Sequence, residues 1–91
     1  MAGDAREMAY EKARAVRRAH EGELLRKANV VGVGVGLRQR AGRRTGEVAL
    51  VVMVARKVPR AQLSAQDVIP ETIDGVPVDV QQVGEIRAQQ E

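Results

Sequence analysis

The sequence predicts an α+β module: a long N-terminal helix followed by a small three-stranded mixed sheet. Three observations lead there. A proline-free run rich in Ala, Arg, Glu, Lys and Leu extends from Asp4 to about Ala28. A strict valine-glycine alternation follows over Val30–Leu37, and two further β-branched runs lie around Val48–Ala55 and Val76–Ile86.

The helical run contains the residues that lose least on entering a helix, and its only glycine is Gly22. Asp4 with Glu7 three residues on has capping-box spacing, and Asn29 suits the C-terminal end. Ala9, Ala13, Val16, His20 and Leu24 fall on one face, with Met8 and Ala19 beside them, a shallow stripe suited to close packing. At about 1.5 Å per residue this helix would be roughly 35 Å long, so part of it is expected to project or to pack on another subunit.

In VVGVGVGL the period of two puts Val31, Val33, Val35 and Leu37 on one face and Val30, Gly32, Gly34 and Gly36 on the other. The glycine face would admit a helix or a second sheet close to the backbone. RQRAGRRTGE, with Gly42 and Gly46, is expected to be a polar hairpin loop, and the strand after it is apolar on both faces. Pro59 ends that strand. A helical turn over Ala61–Gln66 leads to Ile69-Pro70, a turn at Asp74-Gly75 and a third strand over Val76–Ile86. In that strand Val76, Val78 and Val80 point inward, with Asp79 and Gln81 outward. A right-handed crossover beside the first strand gives sheet order 3-1-2, with the glycine-valine strand central and two outer edges open. Residues 1–28 thus form a charged helix, 29–87 the sheet module and 88–91 a frayed tail.

With 91 residues, one tyrosine and no Phe, Trp or Cys, the chain holds one domain with a thin aliphatic core, no disulfide and no thiolate site. A reducing cytoplasm fits, and neither a signal-peptide core nor a membrane span is expected. Charge is segregated: residues 29–60 carry seven basic and one acidic side chain, whereas 61–91 carry one basic and six acidic. That pattern suits head-to-tail contact between copies, internal pairing, or nucleic-acid affinity.

Catalytic patterns are weak. Gly32, Gly34 and Gly36 do not follow the G-x-G-x-x-G spacing of a dinucleotide loop, and no G-K-[ST] exists. His20 lies mid-helix as a core-edge residue, and Ser64 stands in a turn with no oxyanion motif. Asp67, Asp74 and Asp79 read as caps or solvated positions. No enzyme activity, cofactor, metal or small-molecule ligand is expected. The interaction candidates are Gly32, Gly34 and Gly36 on the bare face, Arg38, Arg40, Arg43 and Arg44 on the basic ribbon, the lone aromatic Tyr10, and Asp79. Arginine forks suit phosphates and carboxylates alike. Without aromatic platforms for bases, however, a solvated hairpin or a contact with the acidic C-terminal third of another copy is favoured over nucleic acid.

Three segments, NVVGVGVGLR (29–38), EVALVVMVARKVP (47–59) and VIPETIDGVPVDVQQVGEI (68–86), resemble a small N-terminal module. It is found ahead of trypsin-like serine peptidase domains in some bacterial proteins and in plant proteins of the Narrow Leaf type. The resemblance does not include the helix before Asn29. It implies no catalytic position here, because the peptidase part would supply those residues. What it leaves open is a homo-oligomeric or scaffolding role, a regulatory role with nucleic acid, or an accessory or inhibitory role towards a peptidase.

Overall fold

The computed structural model describes residues 2–84. Helix α1 spans Ala2–Leu25, so Asp4 lies inside its first turn and is not the cap. Past Leu25 the chain tightens: the Arg26 and Lys27 amides donate three residues back to Glu23 and Leu24 carbonyls, at 3.2 and 3.1 Å. Asn29 then reverses the chain at φ 70°, a left-handed conformation that asparagine tolerates better than most residues.

Strand β1, Val30–Arg40, and strand β2, Arg43–Val54, form an antiparallel ribbon. The expected hairpin loop is almost all strand. Only Ala41 and Gly42 turn the chain, at φ 53° and 79°, the doubly left-handed geometry that matches strand twist. Two 3-10 turns, Arg60–Gln62 and Ala65–Asp67, replace the single helical turn. A second ribbon follows, β3 (Thr72–Ile73) and β4 (Val76–Gln82), around the Asp74-Gly75 turn. Strand β4 is shorter than expected, and Ile86 and the tail lie outside the described residues.

The sheet has four strands in order β1-β2-β4-β3, with β2 and β4 parallel. The expected three-stranded 3-1-2 order is therefore corrected: the glycine-valine strand is at the edge and β2 is central. The cause is two-sided apolarity. Strand β2 gains by being covered on both faces and both edges, whereas β1 offers side chains on one face only and loses less at the rim.

On one face of the sheet, Val33, Leu50, Val52, Val54, Val76 and Val78 meet Ala13, Val16 and Leu24 of α1. Each fully buried aliphatic side chain of this kind contributes roughly 1.5–3 kcal/mol. Ala9 and Met8 are exposed, so the buried stripe begins at Ala13. The helix lies on its own sheet rather than projecting, and the Arg6 guanidinium comes within 3.7 Å of the Cβ position of Gly46. The lengths agree: 24 helical residues at about 1.5 Å and 12 strand residues at about 3.3 Å both span close to 40 Å.

The ribbon coils because its ladder is irregular near both ends. Val31 is an extra residue between Val30↔Val54 and Gly32↔Met53, which swings Val30 onto the helix side, against the core, and leaves Val31 37% exposed. Near the turn, Thr45, Gly46 and Glu47 oppose Arg38 alone. The Thr45 hydroxyl bridges the gap, donating to the Arg38 carbonyl (2.9 Å) and accepting from the Glu47 amide (3.1 Å). The coiled tip reaches across β2, where the Gln39 amide donates to Asp79 Oδ2 at 3.0 Å and Gln81 Nε2 donates to the same oxygen at 2.9 Å.

Two consequences are measurable. Ala41→Gly removes a left-handed Cβ and should raise stability by about 1 kcal/mol, read as a higher urea midpoint at constant m. Asp79→Ala leaves the Gln39 amide without its acceptor and should cost ~1–2 kcal/mol in the same titration.

Candidate functional site

The feature that stands out is the free margin of β1. Val30–Leu37 contains no proline and no charge. Among the described residues, the backbone of Val31–Leu37 makes no hydrogen bond outside its ladder with β2. Between the bulge at Val31 and the arginines from Arg38 onward, the regular stretch Gly32–Leu37 lacks both charge and proline, two of the devices that discourage strand addition.

Its glycines face away from the helix. The same face carries Ala49, Val51 and Met53 from β2, because Gly36, Gly34 and Gly32 pair with them in register. Met53 lies over the bare strand: its Cε is 3.1 Å from the position a Gly32 Cβ would take and 3.7 Å from that of Gly34, while Val51 Cγ2 is 3.5 Å from that of Gly36. A side chain at Gly32 would crowd Met53, whereas Gly34 and Gly36 have room for one. Ala49 is fully buried and Val51 only 9% exposed, so this second face is a shallow apolar layer beneath the coiled ribbon.

The basic cluster divides. Arg38 Nη1 is 3.0 Å from Glu47 Oε1 on the neighbouring strand, a part-exposed pair contributing less than about 1 kcal/mol. Arg40 and Arg43 stand directly opposite each other beside the turn, and Arg44 faces Gln39. All three are exposed, and none has an ion-pair partner among the described residues. Like charges opposite each other in a ladder repel, so the ribbon tip favours an anionic neighbour. Asp79 is engaged within the fold by Gln39 and Gln81. Tyr10 is half-buried on α1, with the Arg14 guanidinium 5.9 Å above its ring.

His20 sits between two carboxylates, with Nε2 3.0 Å from Asp74 Oδ2 and Nδ1 3.8 Å from Glu23 Oε1. This contact ties α1 to the Asp74-Gly75 turn. Ser64 is exposed, immediately before the second 3-10 turn. Among the described residues no group of three or more His, Cys, Asp or Glu is placed to hold a metal ion, and no helix is long and apolar enough to cross a membrane.

Sequence reasoning missed the contribution of β2 to the glycine face, although Ala49, Val51 and Met53 already alternate with Leu50 and Val52. It also missed a groove lined by Val54, Arg56, Arg60, Ile69 and Val80. No local pattern announces that site, because its walls come from the loop after α1, the linking segment and β4, which long-range contacts bring together.

No curated protein matches the chain. The family model for the NARROW LEAF 1 N-terminal domain matches residues 14–83. That span takes in Val16 and Leu24 of α1 as well as the whole sheet, so the second half of the helix, absent from the resemblance drawn from Asn29 onward, is part of the family's domain. It closes at Val83, whose amide donates to the Val54 carbonyl at 2.9 Å. The chain belongs to the Narrow Leaf 1 N-terminal domain family.

Proposed function

We propose that this chain is a non-enzymatic interaction module that associates with a second copy of itself through the free margin of β1. The observation that supports this reading is the uncharged, proline-free edge, whose backbone bonds on one side only. Strand addition would satisfy the outward amides and carbonyls and extend the sheet across two copies. An antiparallel register centred on Gly34 sets Arg38 opposite the partner's Val30 and Arg40 opposite the partner's Ala28. A parallel register would stack arginine on arginine. Antiparallel pairing about a two-fold axis normal to the sheet also keeps both helices on one face, a closed and self-complementary arrangement.

The finer parts of the reading are proposals of the same kind. A cysteine-free composition is compatible with a reducing, cytoplasmic setting, and the resemblance to modules of bacterial proteins suggests a bacterium. The resemblance to modules that precede trypsin-like peptidase domains supports an accessory role beside such a peptidase. The repulsive pair Arg40↔Arg43 supports one alternative, a nucleic-acid contact by the ribbon tip, whose affinity would fall steeply with salt.

Light scattering at micromolar concentration should give a dimer or larger for the natural chain. Gly34→Lys, which has room beside Met53, should give a monomer with an unchanged far-ultraviolet circular dichroism spectrum. A natural chain that is monomeric at that concentration sinks the proposal. Arg43→Glu combined with Arg44→Glu should leave the mass as it is. If the natural chain is retained on duplex DNA in a salt-sensitive way and the double variant is not, the alternative reading gains.

A further inference from the structure

The segment that leaves β2 brings three cations, Arg56, Lys57 and Arg60, to the mouth of one groove of about 290 Å³. Its floor is aliphatic and drawn from three places: Val54 at the end of β2, Val58, Leu63 and Ile69 in the linking segment, and Val80 of β4. Val54 belongs to the core, and Val80 and Ile69 pack against it, so the floor is rigid where it meets the sheet.

The groove's own polar groups do not neutralise the mouth. Asp67, the one carboxylate in the lining, is held by the Ala28 amide at 3.0 Å and offsets one of the three cations, which leaves the lining with a net positive charge. The Arg60 guanidinium touches the Ile69 carbonyl at 3.4 Å. Neither Arg56 nor Lys57 has an acidic partner among the described residues. Lys27, beside the groove, is spent on the Gln66 carbonyl. An aliphatic floor under clustered cations is complementary to a ligand with an apolar body and a single carboxylate, which arginine can grip with two parallel hydrogen bonds.

We propose that this groove receives the C-terminal residue of a partner polypeptide: an aliphatic side chain on the floor, and its α-carboxylate among Arg56, Lys57 and Arg60. The groove is open to solvent, so a chain end can enter it with the rest of the peptide running out over the surface. The volume is at the lower limit of small-molecule sites, enough for one aliphatic side chain. Such a ligand needs further length running out over the surface to bind usefully. The groove is formed within one chain and its lining contains none of Val31–Leu37, so the titration is read separately from self-association.

The test is a methyl-resolved NMR titration of the full chain, run on the natural protein and on Gly34→Lys. Three probes serve: the peptide Gly-Ser-Gly-Ser-Leu with a free C-terminus, the same peptide as its C-terminal amide, and octanoate. The free-acid peptide should shift the methyls of Val54, Val58, Ile69 and Val80. The amide should bind at least about tenfold more weakly, having lost the charge-assisted bonds. Arg56→Glu and Lys57→Glu, both at exposed positions, should weaken the free-acid peptide to a similar degree while keeping the dispersion of the folded spectrum. Four results would each overturn the proposal: equal binding of acid and amide, octanoate saturating the same methyls at lower concentration than the peptide, shifts confined to other parts of the chain, or no shift at millimolar peptide.

Discussion

The structure depends on one constraint: strand β2 is apolar on both faces and has to be covered on both. Leu50, Val52 and Val54 point to α1, while Ala49, Val51 and Met53 point the other way. Only the centre of a sheet gives such a strand partners on both edges, so β1 and β4 flank it and the rest of the topology follows. The helix closes one face. The other is closed largely by the chain's own ribbon, since Met53 lies across the bare backbone of β1.

Covering that second face requires a ribbon that bends, and the two register irregularities supply the bend. Val31 turns one end, and the Thr45 hydroxyl holds the wide stretch at the other. The coiled tip is then tied down at Asp79 through a charge-assisted hydrogen bond. Asp79, which alternation alone marks as a solvated strand position, is therefore part of what shapes the sheet. The same coiling carries Arg40, Arg43 and Arg44 out as an exposed cationic tip, so packing on one face determines the electrostatics at the end of the ribbon.

Two surfaces remain free once these demands are met, and they differ in physical character. The β1 margin offers backbone groups in a regular row, a recognition mode that reads main chain and is satisfied best by another strand. The groove at the end of β2 offers an aliphatic floor and localised positive charge, complementary to a ligand with an apolar body and a carboxylate. Their residues are distinct, since the groove lining contains none of Val31–Leu37. Both surfaces lie within the span matched by the Narrow Leaf 1 N-terminal domain family.

The helix, the three long strands and the Asp74-Gly75 turn were legible in the sequence, because each rests on local chemistry. Helix propensity without proline, alternation of period two, and a dipeptide that accepts left-handed backbone all act within a few residues. The exchange of Val30 and Val31 between faces was not legible, since a bulge is decided by the partner strand's register and not by the strand itself. Strand order was not legible either. The sequence marks β1 and β2 as neighbours, but which of them is central depends on the total apolar area covered by α1, β4 and the coiled tip together. The groove of Arg56 and Val80 depends on β4 returning parallel to β2, which sets residues 28 positions apart, such as Val52 and Val80, side by side. Local sequence thus determined the elements and the two chemistries available to them. Long-range burial decided which strand stayed at the margin and which cations came to share a floor.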